Sequence, residues 1–136
     1  MIKEMRKILI IDDDAGMVRL AEKWFRVDGY EVIGALTGVG GIKRAQTENP
    51  DLILLDVMIP DLTGVEVAKK LYADPATKNI PIIFMTVCIG VENDKGNENM
   101  EIDGRSYRAF AKPLHTRKLL SAARKLINFS KNNQPI

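Results

Sequence analysis

The chain has 136 residues, 46% apolar and 28% charged, which suits one globular domain and leaves no room for two. Formal net charge is only +2, no run approaches the roughly 18 apolar residues of a membrane span, and the mixed-charge start Met1-Ile2-Lys3-Glu4-Met5-Arg6 lacks the order of a signal peptide, so a cytoplasmic protein free of membranes is expected. A single cysteine, Cys88, excludes an internal disulfide or a thiolate metal cage and reads as an inert small residue.

In chain order, Ile8 to Ile11 reads as a buried strand, and Met17, Leu20, Ala21, Trp24 and Val27 then recur at helical spacing until Gly29. Tyr30 to Ile33 is a second strand. Thr37 to Gly41 holds three glycines where a second helix should start; at about 1 kcal/mol each relative to alanine, they predict a late or frayed start. Leu52 to Leu55 is continuously apolar, as in a strand covered on both faces. Pro60, Thr63 and Gly64 precede a helix with Val65, Ala68 and Leu71 on one side, ended by Asp74-Pro75.

Pro81 opens a fourth strand, Ile82 to Met85. Residues 89–106 contain Gly90, Gly96, Gly104 and three asparagines, which predicts a mobile connection and argues against a regular helix. Tyr107 to Ala111 reads as the fifth strand. In the last helix Leu119, Leu120, Ala123, Leu126 and Ile127 pack inward while Arg124, Lys125 and Lys131 face water. Five strands alternating with about five helices give an α/β, doubly wound, mostly parallel sheet with helices on both faces. One domain spans 1–136, with a core of about 7–129 and a tail at 130–136. Residues 1–103 carry 18 acidic and 12 basic side chains, whereas 104–136 carry 8 basic and no acidic ones. That basic end reads as a solvated helix face, so nucleic acid is not an expected partner.

Asp12, Asp13 and Asp14 follow the first strand directly, and Asp56 follows the third. In a parallel α/β sheet the functional crevice lies beyond the carboxyl ends of the strands, which brings these carboxylates together. Clustered carboxylates repel unless one binds a proton or a cation intervenes, and Mg²⁺ suits a few carboxylates plus water. Thr86 ends the fourth strand and Lys112-Pro113 the fifth, adding a hydroxyl and an ammonium to the same rim. Nucleophilic carboxylate, metal and donors are the parts needed to place a phosphoryl group on an aspartate. Asp14 reads instead as a cap for the first helix.

The segments Ile8-Leu9-Ile10-Ile11-Asp12-Asp13-Asp14, Asp51 to Pro60, Gly64, Met85-Thr86 and Ala111-Lys112-Pro113 resemble the response-regulator receiver domain of two-component signalling, over about Lys7 to Phe129. The resemblance implies a flavodoxin-like strand order 2-1-3-4-5 and phosphorylation of Asp56 by a histidine kinase or a phosphotransfer protein. It also implies Mg²⁺ held by Asp12, Asp13, Asp56 and the backbone carbonyl of Met58, with Thr86 and Lys112 contacting phosphoryl oxygens. Pro113 would follow a cis peptide. The state would be read by an unknown output protein through docking, and phosphorylation-dependent dimerisation fits the same family. The domain would act alone or as part of a longer chain.

Some positions depart from the family pattern. Ala109 stands where many receivers carry an inward-turning aromatic; Tyr107 shares its side of the strand and is the better substitute, while Phe110 faces the other way. The stretch from Thr86 to Lys112 is longer by about four residues than the family pattern leads one to expect. Thr116-Arg117-Lys118 puts cations at a helix start, against the dipole. His115 reads as the residue that begins the last helix. These departures keep a phosphorylation-independent, receiver-like interaction module as the alternative. A flavodoxin-like mononucleotide binder is disfavoured, because rim carboxylates repel a phosphate.

Overall fold

The structure, a computed structural model, describes residues 5–86, 98–112 and 114–132. The expectations for Cys88, the peptide before Pro113 and residues 89–97 lie outside that range. The elements in order are β1 (Lys7–Ile11), α1 (Ala15–Val27), β2 (Glu31–Ala35), α2 (Gly38–Glu48), β3 (Leu52–Asp56), α3 (Gly64–Ala73), β4 (Ile82–Thr86), β5 (Glu98–Ile102), β6 (Arg105–Ala111) and α4 (Thr116–Asn132). They form one sheet in the order β2-β1-β3-β4-β6-β5, parallel except that β5 runs antiparallel to β6.

Side chains alternate along each strand, so the apolar runs supply two cores. Ile8, Ile10, Leu52, Leu54, Ile83, Met85 and Phe110 face α1 and α4, meeting Ala21, Phe25, Leu119, Ala123 and Ile127. Leu9, Ile11, Ile53, Leu55, Phe84, Tyr107 and Ala109 face α2 and α3, meeting Ala45, Val67, Ala68 and Leu71. The doubly wound fold is therefore present, with four helices among the described residues and with β6 in the place expected for a fifth parallel strand.

Local boundaries correct several expectations. In α1 the buried stripe is Val18, Ala21 and Phe25, while Leu20 and Val27 are 45% and 86% exposed. Both stripes have helical spacing, and β2 decides between them: Val18 packs so closely on Gly34 that a Cβ there would lie 2.8 Å from Val18 Cγ1. The second helix starts at Gly38, without delay. Thr37 Oγ1 accepts from Gly40 N, and the Asp61 carboxylate accepts from Gly38 N at 2.8 Å and Val39 N at 2.9 Å. Gly41 is required by packing, since a Cβ would meet Ile11 Cδ1 at 2.5 Å. The helix end is therefore closed by tertiary contacts that offset the glycine cost.

Residues 98–106, expected to be mobile, instead belong to a β-hairpin. Asp103 and Gly104 have φ of 51° and 80°, as a two-residue primed turn requires. Met100 and Ile102 pair with Tyr107 and Arg105, adding apolar surface to the α3 side of the sheet. At the other end, α4 continues through Asn132, beyond the boundary expected at Phe129.

Candidate functional site

Two neighbouring parallel strands, β1 and β3, deliver the carboxylates to one rim. Asp12 follows β1 and is fully buried; its amide is held by Ala35 O at 3.1 Å. Its Oδ1 accepts from Asp14 N at 3.0 Å, which fixes the carboxylate on the turn into α1. Asp56 ends β3, is 5% exposed, and accepts from Met58 N through Oδ1 at 3.2 Å. Asp13 is exposed, yet one oxygen from each of Asp12, Asp13 and Asp56 lies within 4.8 Å of the others. Asp14 takes no part in that group: it caps α1, accepting from Gly16 N and Met17 N.

A buried pair of carboxylates needs positive charge close by. Lys112, just beyond β6, supplies it, with Nζ 2.7 Å from Asp12 Oδ2 and 3.4 Å from Asp56 Oδ2. Desolvation raises the Asp56 carboxyl above its ordinary value; the Met58 amide opposes this, the Asp12 charge adds to it, and Lys112 pulls the other way. Burial alone would lower Lys112, but the hydrogen bond and charge of Asp12, joined by Asp56, hold its ammonium above the usual lysine range. Thr86 ends β4 opposite Ala111, and its carbonyl accepts from Lys112 N at 2.9 Å. The sheet therefore brings Asp12, Asp13, Asp56, Thr86 and Lys112 to one rim, with Met58 beside Asp56.

The chain after Asp56 is tied down by Gly64 and Thr63, which the sequence reading singles out, and by Glu66 and Asp61, which it does not. Gly64, the first residue of α3, donates its amide to Val57 O at 2.8 Å, and a Cβ there would lie 2.5 Å from Asp56 O. A glycine at this place is a steric requirement of the loop that follows Asp56. Thr63 and Glu66 form a reciprocal capping box for α3, a spacing legible in the sequence. Asp61 clamps the same loop to the start of α2 across 23 positions, which no local pattern reveals. Two expectations hold farther out: His115 begins α4, accepting from Lys118 N through Nδ1 at 3.3 Å, and Tyr107 turns inward beside Ala109. Its ring meets Phe84 edge-on at 5.4 Å.

A doubly wound sheet with this acidic rim and its bridging lysine defines a receiver-type signalling domain. Residues 8–124 match the model of the response regulator receiver domain, and the chain belongs to that family. It is 33% identical over 123 residues to the response regulator PleD of Caulobacter vibrioides, a match covering 90% of this chain and 26% of PleD. The chain thus spans about a quarter of that relative's length. Against sporulation initiation phosphotransferase F of Bacillus subtilis, identity is 32% over 126 residues, covering 93% of this chain and 97% of the relative. The solved structure of chemotaxis protein CheY4 of Vibrio cholerae superposes with a TM-score of 0.76 at 25% identity, covering 90% of this chain and 99% of the other. The chain is a response-regulator receiver of two-component systems.

Proposed function

We propose that Asp56 accepts a phosphoryl group from a phosphohistidine of a histidine kinase or a phosphotransfer protein. The observation that carries this is a buried Asp56 grouped with the Asp12 and Asp13 carboxylates and within 3.4 Å of the Lys112 ammonium. The oxygen cluster with one exposed member fits a hard divalent cation such as Mg²⁺, with Asp12, Asp13, Asp56 and the Met58 carbonyl as its protein ligands. When bound, Mg²⁺ neutralises charge on the phosphoryl oxygens.

Asp56 attacks phosphorus in line with the imidazole nitrogen: the O–P bond forms as the N–P bond breaks, and the departing nitrogen keeps the electron pair. Lys112 exchanges a carboxylate partner for a phosphoryl oxygen, and Thr86 donates its hydroxyl to another. The Asp56 loop stays in register because Gly64 and Asp61 anchor it on two helices. The domain, 1–136 as one unit, passes its state on by docking an output protein in the cytoplasm. No helix among the described residues is long and apolar enough to cross a membrane.

Intact mass after incubation with acetyl phosphate and Mg²⁺ tests this directly. Gain of one phosphoryl group that requires Mg²⁺ and is absent in Asp56→Asn is expected. No gain in the folded wild-type protein would overturn the proposal and favour the phosphorylation-independent module, for which the complete rim gives no support.

A further inference from the structure

Among the described residues β5 pairs with β6 alone, so its other side is a sheet edge. Its hydrogen-bonding phase follows from the turn. In a two-residue hairpin the flanking residues, here Ile102 and Arg105, exchange backbone hydrogen bonds, and the pattern alternates away from the turn. Met100 then bonds to Tyr107, while Asn99 and Glu101 aim both N–H and C=O away from β6. An edge of this kind is a template for another strand.

We propose that β5 pairs antiparallel with β5 of a second copy, about a two-fold axis through Met100, to make a continuous twelve-stranded sheet from two six-stranded ones. A closed two-fold contact is isologous, so each strand residue must meet another on the same sheet face, and the axis must pass through a residue. An axis at Glu101 would oppose two like charges. An axis at Met100 uses all five strand residues, pairing Asn99 with the partner's Glu101 as a hydrogen-bonded pair on each side, four edge hydrogen bonds in all.

Charge favours the same register. Within one chain Glu101 lies opposite Ser106, with no cation in its row of the hairpin. In the dimer the partner's Glu101 lies beside Asn99, in the row that continues to Arg108. The two α-carbons are then about two strand spacings apart, roughly 9.6 Å, which glutamate and arginine side chains span. Around Arg108, His115 just before α4 and Arg117, Lys118 and Lys125 on it line one cavity of about 370 Å³. Acids on a sheet edge, here Glu98 and Glu101, ordinarily discourage self-pairing. Here the Met100 register turns Glu101 toward a basic face.

Sedimentation velocity on the full chain should show a reversible dimer that Asn99→Pro weakens at least about tenfold. The proline removes only an outward N–H, so Met100 and Ile102 amides should stay protected from exchange in the variant. In the wild type, Asn99 and Glu101 amides should become protected as concentration rises. Glu101→Lys should weaken association similarly, and Arg108→Glu added to it should restore dimer. In a Cys88→Ser background, Met100→Cys should form an intermolecular disulfide, because opposed α-carbons in a non-hydrogen-bonded pair lie about 4.5 Å apart. A wild type that stays monomeric to about 500 µM overturns the proposal. So does a dimer insensitive to Asn99→Pro that leaves Met100→Cys unlinked, which would place the contact elsewhere.

Discussion

The acidic rim and the β5–β6 hairpin are joined by one strand, β6, yet they are stabilised in opposite ways. The rim is assembled from distant parts of the chain: Lys112 meets Asp12 across 100 positions and Asp56 across 56. Its groups are buried charges whose loss leaves a partner uncompensated. The hairpin is local, closed by Asp103 and Gly104, and its charged ties to α3 are exposed: Lys69 to Asp103 at 3.9 Å and Arg105 over the Tyr72 ring at 4.3 Å. Single changes should therefore be severe at the rim and mild at the hairpin, and the contrast can be measured.

Lys112→Gln is the harshest test. It strips the cation from a fully buried Asp12 and should cost about 3 kcal/mol without divalent ions. Added Mg²⁺ should recover part of that loss in urea titrations, and equal losses with and without Mg²⁺ would show that charge is not the cause. Gly64→Ala comes next, at about 2 kcal/mol, because the new methyl meets the Asp56 carbonyl at 2.5 Å, backbone that cannot easily yield. Thermal melts would register it, along with slower phosphorylation.

At the hairpin, Gly104→Ala places a side chain at φ of 80° and should cost about 1 kcal/mol, less than the rim changes. A larger loss than for Gly64→Ala would invert the comparison. The smallest effect concerns Asp61. Hydrogen bonds from the Gly38 and Val39 amides hold its carboxyl below the ordinary value. Its contribution to stability is therefore present above the unfolded carboxyl value near 3.8 and is lost as pH falls through the depressed folded one. Acid melts of Asp61→Asn should show a shallower slope in that window, and salt should shrink the difference, since the group is exposed.

Much of this was legible because β1 and β3 are continuously apolar and end in aspartates, so burial and rim placement follow from pattern alone. Asp14 was legible as a cap, and His115 as a residue at a helix start, from their places in the sequence. What escaped is tertiary or was masked by composition. The start of α2 depends on Asp61 and on Ile11 packing over Gly41, neither of which its own glycines disclose. The α1 face was ambiguous between two helical stripes until Gly34 opened space for Val18. Asp103-Gly104, flanked by Met100, Ile102, Tyr107 and Ala109 in alternation, is a strong hairpin signal; the surrounding density of glycine and asparagine made it read as irregular.

The lysine at the rim also sets the terms on which the site takes a cation. Asp12 already has a resident counterion at 2.7 Å. At the Mg²⁺ site proposed above, the incoming ion would compete with an ammonium supplied by the chain itself. The affinity of that site would be a difference between two attractions, and whatever loosens Lys112 from Asp12 would tighten the hold on the metal by at most the same factor. The chain carries its own counterion for Asp12, covalently tethered, at an effective concentration that dilution cannot change.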